Sequence, residues 1–487
     1  MSISFRHQET LGVPGQPFVA GSFMERVSLA PVPHVNPTTG QAQAELHLGG
    51  AAEIDLAVRA AAAAQKQWLA MGAFARIQCF KRFSALLAEN AEQFAFLGAR
   101  ESGVPLSLPA MMIALGWVDH YMGWIDKIEG SYSGESFPMP GFNYTRREPY
   151  GVVGVIIPWN GPLIATCMMA IPALAAGNGV VLKPPALAPF AALRIAELAV
   201  AAGFPSGLFN VVPGEAEAGQ ALVAHPGVGK IAFTGGDGVA RRVMATAAEQ
   251  LKPVALELGG KSANLVFADA DLEAASIQAV YGALGLSGQG CVNPTRLLVH
   301  RSRYDEMVAR AAEIAEAMVV GDPFDPAVQQ GPVICAAACE RILGIIERAK
   351  GEARLVAGGH RLGGDLASGF FIRPTVFADV KPGSSLEQNE VFGPVLSITP
   401  FDDDEEALAI ANDTRYGLGA YLHTRDLDRA HAFAERLEAG YVNINGFATM
   451  AATAPFGGYK QSGFGRVGGW AGVEEYLQTK NVFVARR

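Results

Sequence analysis

The chain has 487 residues, of which half are hydrophobic and 17% are charged, and it contains 56 glycines and 29 prolines. This composition is too apolar for a disordered chain and too rich in glycine for a helical bundle. The 47 acidic residues outnumber the 38 basic ones, and the net charge of −9 argues against binding nucleic acid through its phosphates. We therefore expect a large α/β protein with roughly two or three domains.

Apolar segments and cysteines bear on where the protein resides. The N-terminal residues lack the apolar core of a secretory signal, and the most apolar stretch, residues 165–182, is broken by Pro172, Gly177 and Asn178. The five cysteines are an odd number and a low density for this length, which favours a reducing compartment over a disulfide framework. We expect a cytoplasmic protein that does not span a membrane.

Helical spacing dominates the first part of the chain. Apolar residues recur at three- and four-residue intervals over residues 51–90, and a further helical stretch is predicted over residues 106–128. The rhythm changes at Ser131, where polar and apolar residues alternate among glycines and prolines as far as Tyr150. This pattern predicts an extended hairpin or a protruding arm.

Residues 151–258 alternate between apolar strand-like runs and helical runs. Five predicted strands separated by four helices indicate a parallel, doubly wound sheet. Ligands of such sheets bind beyond the carboxyl ends of the strands, so the residues that follow the strands are the candidates for chemistry. These residues read PWN, KPP, FTGG and ELGGK.

A second α/β unit is predicted after Gly260. Its strand-like runs alternate with helices, two of which are expected to begin near Asp403 and Asp426. The chain ends in a glycine-rich turn and a short strand-like tail. The strand-like runs of this unit read ANLVF, TRLLVH, ARLVAGG, PTVFADV, LSITPF, GAYLHT and YVNIN.

Cys291 is a candidate nucleophile because it follows the glycine-rich segment SGQG. Such a segment exposes the sulfur and places backbone N–H groups near it, which lowers the pKa of a thiol and holds an oxyanion. The alternative is a buried, inert thiol. For the other four cysteines we predict packing in the core, including Cys335 and Cys339 on one apolar helix.

Two polar residues stand at the ends of predicted strands. Glu257 ends an apolar strand, where burial would raise the pKa of its carboxyl and suit it to act as a general base; the alternative is an ion pair with Lys261. Asn160 follows the first strand, where its amide could donate to an oxyanion or cap the following helix. Three glycines between a strand and a helix, at 235, 236 and 238, are a possible phosphate site.

Taken together, these segments resemble the NAD(P)-dependent aldehyde dehydrogenase superfamily. The resemblance covers nearly the whole chain, and ELGGK followed 34 residues later by a cysteine is its most specific part. The matching motifs are PWN (158–160), KPP (183–185), FTGG (233–236), ELGGKS (257–262), GQGC (288–291), EVFGP (390–394) and PFGGYKQSG (455–463).

The resemblance implies roles for individual residues. Cys291 would be the nucleophile, Glu257 the base for hydrolysis, and Asn160 with the backbone N–H of Cys291 the oxyanion hole. Glu390 would hold the nicotinamide ribose, and Lys183 would reach the adenosine ribose. The residues implied to contact NAD or NADP are Ile156, Ile157, Trp159, Lys183, Gly235, Gly236, Val239, Leu258, Glu390 and Phe392, and no metal is implied.

The resemblance also implies an architecture of two doubly wound lobes and a small β arm for oligomerisation. The dinucleotide-binding domain would comprise residues 1–124 and 147–258, and the catalytic domain residues 259–459. The arm and the C-terminal tail would comprise residues 125–146 and 460–487. A homodimer or homotetramer is expected.

Two departures from the family pattern concern the cofactor. Ala186 stands where the family usually has a glutamate that binds the adenosine ribose, so the choice between NAD and NADP stays open. Gly236 stands where the family has a serine, which removes one hydroxyl contact to phosphate but keeps the backbone N–H.

The substrate tunnel implied by the resemblance carries no charged residue, which favours aromatic or medium-chain aldehydes over semialdehyde acids. Two other classes of function remain as alternatives: a thiol hydrolase or acyltransferase without redox chemistry, and a non-catalytic binding protein on the same fold. The tunnel residues are Gly161, Ile164, Ala165, Met168, Val292 and Phe447.

Overall fold

The computed structural model describes residues 3–134, 138–446 and 450–486. Its strands, numbered in chain order, are Phe18–Val19 (β1), Ser22–Phe23 (β2), Val32–Val35 (β3), Ala42–Leu46 (β4), Tyr132–Ser133 (β5), Gly141–Pro149 (β6), Val152–Ile156 (β7), Gly179–Lys183 (β8), Phe209–Val211 (β9), Lys230–Thr234 (β10), Val254–Glu257 (β11), Ala263–Val266 (β12), Arg296–His300 (β13), Arg354–Ala357 (β14), Thr375–Ala378 (β15), Val395–Phe401 (β16), Tyr416–Gly417 (β17), Ala420–His423 (β18), Val442–Ile444 (β19), Tyr459–Lys460 (β20), Gly463–Phe464 (β21) and Leu477–Ala485 (β22).

The helices are Ala51–Ala70 (α1), Gly72–Glu89 (α2), Ala91–Ser102 (α3), Ala110–Met122 (α4), Pro162–Ala175 (α5), Phe190–Ala201 (α6), Ala216–Ala224 (α7), Asp237–Ala248 (α8), Leu272–Leu284 (α9), Tyr304–Ala317 (α10), Ala336–Ala349 (α11), Ser385–Gln388 (α12), Asp404–Asn412 (α13), Leu427–Arg436 (α14) and Gly469–Glu474 (α15). The helical prediction for residues 51–90 is confirmed. The helix expected over 106–128 is shorter, because Pro109 adopts a non-helical conformation before its first turn and Gly123 ends it.

The first sheet has the strand order β2-β1-β9-β8-β7-β10-β11-β21. Its five central strands, β9-β8-β7-β10-β11, are all parallel, so the predicted doubly wound sheet is confirmed. On either side of this parallel core, β1 pairs antiparallel with β9 and β21 pairs antiparallel with β11. The alternation of strands and helices did not indicate these two antiparallel pairs. The carboxyl ends of β7, β8, β10 and β11 lie along one edge, where ligands of such sheets bind.

Helix α5 accounts for the apolar stretch near residue 170. Every residue from Pro162 to Ala175 except Ile164 is buried, and the helix packs between α4, α6 and the first sheet. Its apolarity therefore reflects a position in the core. No helix within the described ranges is both long and apolar enough to cross a membrane.

The second sheet has the order β14-β15-β16-β13-β12-β18-β19, and all its neighbouring strands are parallel except β14 and β15. The strands predicted for the second α/β unit are thereby confirmed. Helices α13 and α14 begin as predicted, because Asp403 and Asp426 accept hydrogen bonds from the amides of Glu406 and Arg429.

A third sheet joins β22, β6 and β5. The C-terminal strand β22 pairs antiparallel with β6 over nine residues, from Leu477 opposite Pro149 to Ala485 opposite Gly141. The extended structure expected after Ser131 is confirmed in β6, and its main partner is the distant C-terminal tail.

Candidate active site

A cavity of about 210 Å³ lies at the carboxyl edge of the first sheet. Its walls come from the segments that follow β7, β10 and β11, and from the loops around Cys291 and Glu390. Most of the polar residues singled out from the sequence meet here although they are far apart in the chain. The lining residues are Pro158, Trp159, Asn160, Thr234, Gly235, Gly236, Glu257, Leu258, Gly259, Cys291, Glu390 and Phe392.

The turn that carries Cys291 has an uncommon backbone. Leu286, Ser287 and Gly288 all have left-handed φ values, of 52°, 56° and 67°. For a residue other than glycine this conformation costs about 1–2 kcal/mol. The buried Ser287 hydroxyl donates to the carbonyl of Gly331 at 2.7 Å, which helps to hold the turn and so to fix the position of the thiol.

The pKa of the Cys291 thiol is raised to about 12, mainly by burial and further by the charges of Glu390 and Glu257. The backbone N–H groups of Cys291 and Val292 act in the opposite direction and favour the thiolate. The expected lowering of the pKa by backbone donors is therefore present but outweighed, so the lowered pKa predicted from the glycine-rich segment is wrong for the protein without ligand.

Replacing Glu390 with glutamine should accelerate alkylation of Cys291 by iodoacetamide in the cofactor-free protein. The pKa of Glu390 is about 7, so its charge opposes the thiolate at about pH 8, and the advantage of the variant should shrink as the pH falls below about 7. Peptide mass spectrometry separates Cys291 from the half-exposed Cys335. Equal rates for the variant, the wild type and the exposed control Glu435→Gln at about pH 8 would contradict this electrostatic coupling.

Glu257 ends β11 and is 5% exposed. Its Oε2 atom has no hydrogen-bond partner among the described residues, and burial raises the pKa of its carboxyl well above the ordinary value. The alternative of an ion pair with Lys261 is wrong, because no salt bridge joins the two side chains within the described ranges. Burial lowers the pKa of the Lys261 ammonium group to about 7, whereas the negative charges of Glu387 and Glu390 act to raise it.

The side-chain amide of Asn160 is oriented by a hydrogen bond to the backbone of the turn that carries Cys291. Its Nδ2 atom donates to the carbonyl of Gln289 at 2.7 Å, which leaves a second N–H of the same amide for a ligand. The helix-capping alternative is wrong, because Gly161 occupies the N-cap of α5 and no side chain caps it. The buried Gln289, which sequence reasoning missed, accepts the amide of Ile334 at 2.9 Å through Oε1.

Glu390 and Phe392 lie on a loop fixed from two sides. The Glu390 Oε1 atom accepts a hydrogen bond from the backbone amide of Gly260 at 3.0 Å. Phe392 has a left-handed φ of 48°, and its ring lies edge-on to the ring of Trp159 with 5.3 Å between the ring centroids. Arg341, which sequence reasoning also missed, donates to the carbonyl of Val391 at 2.7 Å. Its position two residues after Cys339 gave no sign of this contact.

The glycine turn between β10 and α8 is open, as a phosphate site requires. Gly236 is the N-cap of α8 without a side-chain cap, and a Cβ atom at Gly236 or Gly238 would meet nothing within 4 Å. The nearby Thr234 Oγ1 is buried and has no partner among the described residues. Bare amides at a helix N-terminus fit the pyrophosphate of a dinucleotide.

The remaining predicted cofactor residues surround this edge of the sheet without lining the cavity. Ile156 and Ile157 are buried in the core, and Val239 is 42% exposed on α8. Lys183 ends β8, where its Nζ donates to the carbonyl of Gly214 at 2.7 Å. Burial lowers the pKa of Lys183 to about 8.

The predicted tunnel residues divide between two environments. Gly161 and Ile164 line a second, mainly apolar cavity of about 350 Å³, whereas Ala165 and Met168 are buried on α5. The half-buried Val292 accepts a hydrogen bond from Tyr421 through its carbonyl. Phe447 lies outside the described residues. The apolar cavity is also lined by Phe94, Leu106, Leu108, Met111, Met112 and Leu163.

The other cysteines are free thiols. Cys79, Cys167 and Cys339 are buried, which confirms their prediction as core residues. Cys335 is half-exposed at the N-cap of α11, so its prediction as a core residue on the helix is wrong. Within the described part of the chain, no group of three histidine, cysteine or acidic residues could hold a metal ion.

Comparison with known proteins adds independent evidence. A family profile described as the aldehyde dehydrogenase family matches residues 23–482. A betaine aldehyde dehydrogenase of Cereibacter sphaeroides is 41% identical over 469 residues, which are 96% of this chain and 96% of that protein.

Two solved structures are similar over nearly their full length. PnpE from Pseudomonas sp. WBC-3 is 39% identical with a TM-score of 0.94, covers 97% of each chain, and has also been solved with nicotinamide adenine dinucleotide. The indole-3-acetaldehyde dehydrogenase AldA of P. syringae, solved with NAD+ and IAA, is 36% identical with a TM-score of 0.95 and covers 99% of this chain and 98% of that one. The chain belongs to the aldehyde dehydrogenase family and is an NAD(P)-dependent aldehyde dehydrogenase.

Proposed function

We propose that this enzyme oxidises an uncharged, apolar aldehyde to its carboxylic acid through a covalent intermediate on Cys291. The observation that carries the proposal is the shared cavity of Cys291, Asn160 and Glu257, which are supplied by three separate parts of the chain. The set comprises a nucleophile, an amide donor and a buried carboxyl group, which are the groups that acyl transfer through an enzyme thioester requires.

In the first step the Cys291 thiol gives its proton to water in the cavity, and the resulting thiolate attacks the aldehyde carbon to form a thiohemiacetal. The carbonyl oxygen gains negative charge as the carbon becomes tetrahedral. The free N–H of the Asn160 amide and the backbone N–H of Cys291 are the donors for that oxygen. The carbonyl of Gln289 holds the Asn160 amide in place before the reaction begins.

NAD(P), when bound, supplies the acceptor for the hydride that leaves the thiohemiacetal. The residues that would hold the cofactor are Lys183 toward the adenosine ribose, Gly235 and Gly236 at the pyrophosphate, and Glu390 at the nicotinamide ribose. Phe392 and Trp159, whose rings are in edge contact, would line the nicotinamide position.

Loss of hydride leaves an acyl group on the sulfur as a thioester. Glu257, whose carboxylate has a raised pKa, would accept a proton from a water molecule as its oxygen attacks the thioester carbon. The C–S bond then breaks, the carboxylic acid leaves, and the sulfur of Cys291 is restored. Because Glu257 is buried and its Oε2 atom has no partner in the described part of the chain, the oxygen is available to a water in the cavity.

The walls near Asn160 support an apolar substrate. Gly161 and Ile164 open onto the cavity of about 350 Å³, which is within the range of small-molecule pockets. Among the described residues the lining of this cavity holds one aromatic ring, that of Phe94, whereas recognition of a quaternary ammonium such as betaine aldehyde uses several rings. An aromatic or medium-chain aldehyde fits this lining better.

Gly161→Phe should selectively impair large aldehydes. A side chain at this position would enter open space and narrow the apolar cavity, so kcat/KM for octanal or phenylacetaldehyde should fall by on the order of tenfold more than kcat/KM for acetaldehyde. Gly363→Phe, at an exposed position with similarly open space, is the matched control. A uniform loss over all aldehydes would argue against this substrate path.

A comparison of kcat/KM for octanal, benzaldehyde, betaine aldehyde and succinic semialdehyde tests the substrate class. The apolar aldehydes should be preferred by at least about tenfold, because the described lining offers neither a cationic partner nor an aromatic cage. Preference for betaine aldehyde or for the semialdehyde acid would overturn the proposed specificity.

We also propose that the first sheet belongs to the nucleotide-binding lobe and the second sheet to the catalytic lobe.

We further propose that the β22-β6-β5 sheet mediates assembly into a homodimer or homotetramer. The exposed apolar side chains of Tyr132, Phe483 and Val484 on this three-stranded sheet support its role in assembly. Light scattering after size exclusion would give the mass of the assembly.

The five free thiols support a reducing, cytoplasmic location.

A further inference from the structure

The loops that follow β8 and β9 run side by side at the edge of the first sheet. The amide of Val212 donates to the carbonyl of Leu182 at 2.9 Å, and the amide of Gly214 donates to the carbonyl of Pro184 at 3.3 Å. The two loops therefore keep the register of the strands beyond the sheet. The residue after Gly214 in one loop emerges next to the residues after Pro184 in the other.

Beyond these two bonds one loop continues to Glu215, and the other continues through Pro185 to Ala186. Ala186 is half-buried and stands at the position where the family resemblance implies a glutamate for the adenosine ribose. Glu215 is exposed at the N-cap position of α7, and its side chain makes no capping hydrogen bond. The carboxylate that is missing from one loop is thus present on the adjacent loop.

Lys183 connects this carboxylate to the proposed ribose position. Its Nζ atom donates to the carbonyl of Gly214, the residue directly before Glu215. Burial lowers the pKa of Lys183, and the charge of Glu215 acts in the opposite direction.

We propose that Glu215 replaces the missing glutamate and makes the enzyme prefer NAD over NADP. This inference rests on the proposed placement of the adenosine ribose beside Lys183. A carboxylate accepts hydrogen bonds from the ribose hydroxyls of NAD and repels the 2′-phosphate of NADP. Glu217, in the first turn of α7, adds negative charge to the same end of the helix.

The test compares the wild type with Glu215→Gln, with the control Glu217→Gln, and with the double variant Ala186→Glu/Glu215→Gln. For each protein, kcat/KM is measured with NAD and with NADP, and the dissociation constants of NADH and NADPH are measured by fluorescence titration without aldehyde. The wild type should prefer NAD. Glu215→Gln should lower the NAD-over-NADP ratio by on the order of tenfold, and the double variant should restore it.

A wild type that prefers NADP, or a Glu215→Gln variant whose ratio equals that of the wild type, would overturn the assignment. An equal effect of Glu217→Gln would also overturn it, because general electrostatics of α7 would then explain the preference. The titrations need no aldehyde turnover. A failure of the proposed oxidation would therefore appear only in the kinetic measurements, whereas a failure of this inference would appear in the binding ratios.

Discussion

Cys291→Ala should lower aldehyde-dependent reduction of NAD(P) by at least about 10³-fold. Among the described residues, the substitution removes the only sulfur in the cavity lining. The hydroxyl of Thr234 has no hydrogen-bond partner there that could act as its base, and the carboxylates of Glu257 and Glu390 are weaker nucleophiles than a thiolate. The variant would keep the rest of the cavity, because the turn is held through Ser287 and Gln289. Initial rates of NAD(P)H formation measure the effect.

Cys335→Ala is the matched control, since it removes a half-exposed thiol at the N-cap of α11 outside the cavity. Its turnover should be near that of the wild type. Binding of NADH by the Cys291→Ala variant, followed by fluorescence, should also be retained. Substantial turnover in Cys291→Ala would remove this thiol from the mechanism.

Glu257→Gln should convert continuous turnover into a burst of NAD(P)H followed by a slow steady state. The amide has nearly the shape of the carboxylate but accepts no proton from water, so deacylation should slow by about 10²- to 10⁴-fold. The burst should approach one NAD(P)H per Cys291, because formation of the thioester does not require Glu257 as the base for water. Stopped-flow absorbance of the reduced cofactor measures both phases.

Hydroxylamine provides the control for this variant. As a strong external nucleophile it attacks a thioester without help from a general base, and it should raise the steady-state rate of Glu257→Gln well above the rate in water alone. A burst followed by an unchanged steady-state rate would show that deacylation does not depend on Glu257. A loss of the burst itself would place Glu257 before the thioester.

Features that follow from local patterns were predictable from the sequence. The alternation of strands and helices predicted the parallel core of the first sheet, and the strand ends predicted that Asn160 and Glu257 would share one edge. Both properties depend on the period of apolar residues and on the topology of parallel sheets. The burial of Glu257 at the end of an apolar strand also followed from its position.

Features that depend on distant contacts were not predictable in this way. The pairing of β22 with β6 joins segments more than 300 residues apart. The hydrogen bond from Arg341 to the carbonyl of Val391 likewise joins α11 to a distant loop. The pKa of Cys291 was predicted in the wrong direction, because local backbone donors were visible in the sequence whereas burial and the carboxylates were not. Cys335 was misplaced because its helix begins one residue after it.

The central claim is that oxidation proceeds through an acyl group on Cys291, and the most direct measurement is mass spectrometry of Glu257→Gln protein quenched during turnover with octanal and NAD(P). One octanoyl group is expected on the peptide that contains Cys291, and its formation should require both aldehyde and NAD(P). An acyl group on another residue, an adduct that forms without NAD(P), or steady oxidation without any adduct would contradict it.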